Sequence, residues 1–288
     1  MRKVDFFIVG APKCGTTTLA LNLDKHPDII ISNPKEPHYF SSDLDTGISM
    51  ASSDEAYLKK FYPDNVDDNN LLGDASVWYL YSEEAIKRIK AYNSQAKIII
   101  LLRNPAKAAF SLHQQMIFEN QEDDMDFHSA WRKSDSRFNL LKYPKKMTLD
   151  PKLVAYKHVF SFYDQIKRVY RYFPEKQILI LKQEDMRSNS SKILSDVFKF
   201  LNLKPINVVF TNANKSFYLK NKFMATVLRT TFLKSSISLF KKLLMIKSFS
   251  IGRPSMPFLD SYSDLVNADL IDELEHLREF YKIDYLNQ

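Results

Sequence analysis

The sequence has only one cysteine among 288 residues, Cys14, so no intrachain disulfide can form and a zinc–cysteine module is a poor fit. Glycine is scarce as well, with 5 in the chain, yet Gly10 and Gly15 fall in one short stretch. No long apolar run occurs. The cleanest, Ile98 to Leu102, is far below the roughly 20 residues that cross a bilayer. Asp5 interrupts any signal-peptide core, and the apolar stretch after it is too short. These absences lead us to expect a soluble, cytoplasmic protein without an amino-terminal anchor. Acid is missing from Val197 to Leu259, a stretch with 11 basic residues. The net charge of +7 therefore belongs to this segment, and the remainder is at −4. A local basic excess points to an anionic partner nearby.

Apolar residues make up 45% of the chain and charged residues 26%, an ordinary globular balance that excludes intrinsic disorder. The length allows one or two domains and a sizeable core without staples. Phe6-Phe7-Ile8-Val9, ending at Gly10, reads as a buried strand, and Thr16 to Lys25 as a helix. Ile29 to Ile31 and Leu71 to Gly73 read as further strands, with a helix near Ser82 to Tyr92. Lys97 to Arg103 carries the strongest strand signal, and Asn104-Pro105 starts a helix after it. Leu153 to Phe173 reads as one long helix, Gln177 to Lys182 as a strand, Ser190 to Leu203 as a helix, and Asp264 to Asn287 as a helical tail. Polar stretches at Asp43 to Asp54 and Glu122 to Asp126 read as loops or helix ends. Alternation of this kind gives the α/β class, with a mainly parallel sheet flanked by helices and ligands at the strands' carboxyl ends.

Gly10-Ala11-Pro12-Lys13-Cys14-Gly15-Thr16-Thr17-Thr18 lies between the first strand and the first helix. Backbone N–H groups at a helix start cradle anions, and the three threonine hydroxyls add donors. A nucleotide phosphate loop wants Lys and then Ser or Thr directly after its last glycine. Here Lys13 precedes Gly15, and the best strand ends in Arg103 instead of an acidic magnesium ligand, so a magnesium-dependent kinase or hydrolase fits less well.

This strand–GAPKCGTTTL stretch resembles the 5′-phosphosulfate loop of sulfotransferases that use 3′-phosphoadenosine 5′-phosphosulfate (PAPS), in the branch of bacterial and heparan sulfate enzymes. The resemblance implies a P-loop-like three-layer fold, with Lys13, Cys14, Gly15, Thr16, Thr17 and Thr18 at the donor. Lys35-Glu36-Pro37-His38-Tyr39-Phe40 resembles the branch's K-E-x-x-x-F segment, which implies that Glu36 is the general base, with His38 as a competing base. Arg103-Asn104-Pro105, followed by Ser111, resembles the motif that binds the 3′-phosphate. Gly73-Asp74-Ala75-Ser76 resembles a fourth segment. It has Ala75 where other members carry a lysine, which leaves Lys13 as the main cation, and Asp74 and Ser76 as candidates for the acceptor pocket. Asn214-Lys215-Ser216 resembles a downstream N-x-S element.

The implied reaction is sulfuryl transfer from PAPS to a hydroxyl, or less readily an amine, of a saccharide, lipid or small molecule, with no metal required. The alternatives are a phosphate-loop kinase or hydrolase, and a non-catalytic basic module for polyanions or membranes. Nucleic acid is not an expected partner. We expect one domain over 1–288, in which residues 204–260 form a basic lid or rim by the donor, a surface for a polyanionic or membrane-associated acceptor, or helices with one buried side.

Overall fold

The computed structural model describes residues 2–48, 50–141, 144–145, 147–212 and 259–286. The Asn214-Lys215-Ser216 element and most of the acid-free segment, and with it most of the lid, acceptor surface or half-buried helices expected over residues 204–260, lie outside the described residues.

Five strands form one sheet: β1 (Phe6–Gly10), β2 (Ile29–Ile31), β3 (Leu71–Ala75), β4 (Lys97–Leu102) and β5 (Ile178–Lys182). Their order is β2-β3-β1-β4-β5, and every pairing is parallel. Helices cover both faces of such sheets, so the central strands are apolar throughout. In β1 all five residues are buried, and in β4 all but Lys97. The chain builds β2 and β3 on one side of β1, then crosses to build β4 and β5 on the other. The carboxyl end of β1 is therefore where the winding reverses, and a crevice opens at such a point.

The helices are α1 (Thr16–Leu23), α2 (Asp54–Phe61), α3 (Ala85–Tyr92), α4 (Pro105–Phe118), α5 (Phe127–Arg132), α6 (Ser134–Phe138), α7 (Tyr156–Phe160), α8 (Phe162–Tyr172), α9 (Gln183–Ser188), α10 (Ser190–Phe200), α11 (Leu259–Asp269) and α12 (Ile271–Tyr281). Two of them matter most for the site. α1 follows β1 and packs on β1, β2 and β3. α4 follows β4, with the Asn104 side chain capping it by accepting from the Lys107 N–H and with Pro105 in its first turn. Among the described residues, no helix is long and apolar enough to cross a membrane.

The structure corrects two sequence expectations. The helix expected over Leu153 to Phe173 is a 3₁₀ turn (Pro151–Val154), α7 and α8. Ala155 and Ser161 leave helical geometry, with ψ of 67° and 86°. The carbonyls freed at the second break are bound locally, since Gln165 donates to the His158 and Val159 oxygens and Ser161 to that of Lys157. The helical tail is likewise two helices, interrupted at Leu270. Residues 122–126 form the loop expected there, between α4 and α5, and within it Glu122 is buried and pairs with the buried Arg137 at 2.8 Å, while Tyr156 donates to it at 2.9 Å.

Candidate active site

The loop after β1 is held on two sides. The Ala11 N–H donates to the Leu101 carbonyl of β4 at 2.8 Å, and the Cys14 N–H donates back to Ala11 at 3.3 Å. Just before the loop, the register of β1 against β4 shifts between Ile8 and Gly10, which re-aims the chain. Lys13 has φ 62° and Gly15 φ 95°, so both sit in the left-handed region. The turn lifts the Lys13 side chain out of the loop and feeds the backbone into α1.

Gly15 occupies the N-cap position of α1 and makes no side-chain cap bond. The N–H groups of the first helical turn have no partner within the helix, and an anion suits them. Thr16 is buried, whereas Thr17 and Thr18 are half-buried. Cys14 points inward: its thiol is fully buried 3.4 Å from the Pro12 carbonyl, and burial pushes its pKa up to about 12. The buried thiol shapes the loop from within.

Arg103 follows β4, and its guanidinium donates to the Lys13 carbonyl at 3.4 Å. Ser111 is half-buried on α4, one helical turn before Gln115. Gln115 accepts a 2.7 Å hydrogen bond from Lys13 Nζ. Arg103, Ser111 and Lys13 are thus brought together at the start and along one stripe of α4. Burial lowers the Lys13 pKa. Glu119 and Glu36 oppose that shift, and Arg103 adds to it.

The segment after β2 forms the facing wall. Glu36 accepts from Lys35 Nζ at 2.7 Å, pairs with His38 Nε2 at 3.1 Å, and accepts from the Val77 N–H at 3.4 Å. Burial alone would raise its pKa, but the His38 hydrogen bond and the Lys35 charge outweigh burial and hold the carboxyl at about 2. His38 is buried, and its backbone N–H donates to Ser76 Oγ at 3.0 Å. Ser76 donates onward to Asp74 at 2.7 Å, and Asp74 also accepts from Tyr57 at 2.6 Å and Tyr79 at 2.9 Å. The Asp74 carboxylate is fully buried and engaged by three hydroxyls. It braces His38 from below instead of lining an acceptor pocket, as the sequence had suggested for it and Ser76. Burial pushes the Asp74 pKa up, and the hydroxyl donors pull against that shift.

Sequence reasoning missed two contributors. Gln115 was readable only as a position four residues beyond Ser111. The other is α9, whose Gln183 and Met186 close over Gly15. A Cβ on Gly15 would sit 3.2 Å from Gln183 Cγ and 2.9 Å from Met186 Cε. The signal for α9 was the Gln183-Glu184-Asp185 run directly after a strand.

An anion cradle, two cations and a carboxylate held in its ionised form thus meet at the carboxyl end of β1. Similar proteins carry matching names. The bifunctional heparan sulfate N-deacetylase/N-sulfotransferase 4 of Mus musculus is 29% identical over 208 residues, which are 69% of this chain and 22% of that protein. Heparan sulfate glucosamine 3-O-sulfotransferase 5 of Homo sapiens is 30% identical over 224 residues, covering 73% of this chain and 58% of that one. The chain therefore spans less than two thirds of either relative. Among solved structures, a sulfotransferase from Alicyclobacillus acidocaldarius matches with a TM-score of 0.64 at 25% identity, over 85% of this chain and 97% of that one. Residues 3–242 match the family described as the sulfotransferase domain, and the chain belongs to that family.

Proposed function

We propose that this chain transfers a sulfuryl group from PAPS to an acceptor hydroxyl, with a saccharide favoured because the similar proteins named above act on heparan sulfate. The observation that carries this reading is that the Glu36 carboxylate is tied to the root of the Lys13 loop: it accepts from the Val77 N–H at 3.4 Å, and the Val77 carbonyl packs against Gly10, where that loop begins. Family membership favours this reading over a magnesium-dependent kinase or a non-catalytic basic module. We read the whole chain as one such domain.

The residues present suit a doubly phosphorylated donor. The first turn of α1, with Thr16, Thr17 and Thr18, offers N–H and hydroxyl donors to the 5′ end. Arg103 offers a planar fork, and Ser111 a hydroxyl, to the 3′-phosphate. In the transfer, Glu36 takes the acceptor proton as the acceptor oxygen bonds to sulfur. The bond from sulfur to the 5′-phosphate oxygen breaks, and its electron pair stays on that oxygen. Lys13 and the N–H groups around Gly15 stabilise the charge that develops there. Losing one such preorganised donor costs about 2.7–4 kcal/mol in a comparable setting. The products are a sulfate ester and adenosine 3′,5′-bisphosphate.

His38 supports Glu36 and does not replace it as base. Its Nε2 is engaged by the carboxylate, and its Nδ1 is buried without a hydrogen-bond partner among the described residues. Calorimetry with adenosine 3′,5′-bisphosphate and with ATP, each with and without magnesium, tests the donor assignment. Preference for the bisphosphate without magnesium supports the reading, and preference for magnesium-ATP overturns it. A labelled-donor screen across saccharide, lipid and small-alcohol acceptors then identifies the acceptor.

A further inference from the structure

Lys13 Nζ is held by a neutral side chain that is itself held. Gln115 Oε1 accepts from the ammonium at 2.7 Å, and the same amide's Nε2 donates to Glu119 Oε1 at 3.1 Å. An amide can present either its oxygen or its nitrogen to a neighbour. A carboxylate accepts and does not donate, so Glu119 fixes which end is which. With the Nε2 end committed to Glu119, the oxygen must face Lys13. Gln115 and Glu119 lie one helical turn apart at the end of α4, so the relay stands on a rigid element that also carries Ser111.

We propose that Gln115, oriented by Glu119, is a positioning residue that fixes the Lys13 ammonium at the mouth of the phosphate loop. It rests on the sulfotransfer reading in one respect, that Lys13 acts on the leaving oxygen. An ammonium has three donors, and the relay occupies one. The flexible four-carbon stem is thereby pinned before the donor arrives, so less ordering remains to be done at the moment of transfer. The charged groups that bear on Lys13 are Glu119 beyond α4, Arg103 before it and Glu36 on the loop after β2, while the Cys14 thiol in its own loop is neutral.

Two substitutions separate orientation from charge. Glu119→Ala and Glu119→Gln both remove the negative charge, but Glu119→Gln keeps an amide oxygen that can accept from Gln115 Nε2, with the donor-only Lys13 ammonium selecting the Gln115 oxygen. Gln115→Leu removes the relay itself. The first measurement is pH-dependent acetic anhydride labelling of the full chain, with peptide mass spectrometry reading Lys13. It needs neither donor nor acceptor. Lys13 should titrate below an ordinary exposed lysine in the native chain. Its midpoint should fall further in all three variants, least in Glu119→Gln, where the relay to Gln115 survives. The second is single-turnover release of adenosine 3′,5′-bisphosphate from PAPS with water as acceptor. Gln115→Leu and Glu119→Ala should slow this release about tenfold, the worth of one charge-assisted hydrogen bond, while Glu119→Gln stays within about threefold. Affinity for the bisphosphate should stay within about threefold in every variant, which also reports an intact fold.

An unmoved Lys13 midpoint in both Gln115→Leu and Glu119→Ala would overturn the proposal. So would equal slowing by Glu119→Ala and Glu119→Gln, since that outcome assigns the effect to charge alone. If native protein ignores PAPS while the Lys13 midpoint responds as described, the positioning role stands and the sulfotransfer reading fails.

Discussion

His38 Nε2 and Glu36 Oε2 lie 3.1 Å apart, with Lys35 on the carboxylate's other oxygen at 2.7 Å. The Glu36 carboxylate, clamped from both sides, is ionised well below neutral pH. The clamp also makes it a weak base in the resting state, so in the proposed reaction proton transfer would coincide with bond formation to sulfur. Glu36→Gln should lower turnover by about 10²–10⁴-fold, the usual worth of a general base, with bisphosphate affinity retained. His38→Gln should cost less, because it loosens the clamp without removing the base. Steady-state rates of the two variants decide the matter: an equal or larger loss in His38→Gln would move the base role to the histidine.

The same clamp sets a pH dependence. Glu36 is held at about 2, below its ordinary value of 4.5. A depressed carboxyl contributes stability that is fully present above the ordinary value and is lost as pH falls through the folded one. Between about pH 4.5 and pH 2, the native chain should therefore lose more stability than Glu36→Gln does. Urea midpoints at pH 6, 4 and 3 check this. Lys35→Met should let the Glu36 pKa rise, moving the acid limb of kcat to higher pH.

Arg103 reaches the phosphate loop through the Lys13 carbonyl and stands at the start of α4. Arg103→Ala should weaken adenosine 3′,5′-bisphosphate binding by about 10- to 100-fold, the range for a hydrogen bond to a charged group. Binding of adenosine 5′-monophosphate, which lacks the 3′ group, should change much less. Calorimetry with the two nucleotides tests the assignment, and equal losses for both would break it.

The parts of this site that repeat or punctuate were readable in the sequence. Phe6 to Gly10 and Ile98 to Leu102 are continuous apolar runs, as a doubly covered parallel strand requires, and both lie in strands. Gly10 and Gly15 bracket the turn because its backbone angles exclude most other residues. Other parts depended on partners distant in sequence. Glu122 reads as solvated until Arg137 and Tyr156 are brought beside it. Asp74 looked like a pocket residue because nothing near it in sequence announces Tyr57. Gln115 carries no charge or periodic signal, and its importance lies in a contact with a lysine 102 positions away. The breaks at Ala155 and Ser161 were hidden because the apolar pattern continues through them while the backbone does not.

Asp74 offers a test of how the base is supported. Its carboxylate takes hydrogen bonds from Tyr57, Ser76 and Tyr79, and Ser76 in turn receives the His38 N–H. In Asp74→Asn, one oxygen becomes an NH₂ group facing hydroxyls that already donate. At least one buried hydroxyl then loses its acceptor, at a cost of about 1–3 kcal/mol. Thermal unfolding should show the loss. Turnover should fall as well, since the brace under His38 is disturbed, while bisphosphate affinity stays near native. Unchanged stability would mean that the three hydroxyls find other acceptors.

The two loop glycines should differ sharply in what alanine does to them. At Gly15, φ is 95°, a conformation that costs an L-residue about 1–2 kcal/mol. The added Cβ would also press Met186 Cε at 2.9 Å, but that is the end of a flexible side chain. At Gly10, φ is 151°, and the Cβ would lie 2.7 Å from the Val77 carbonyl oxygen and 2.9 Å from Leu80 Cβ. Neither the backbone oxygen nor a Cβ can swing aside. Gly15→Ala should therefore fold with a lowered Tm and weakened bisphosphate binding, because the strain falls on the cradle itself. Adding Met186→Ala should recover part of the Tm but little of the binding, since the backbone strain remains. Gly10→Ala should lose far more stability, because the clash pushes the end of β1 away from the segment after β3 that supports Glu36. Equal Tm values for the two single variants would contradict this difference in what surrounds each glycine.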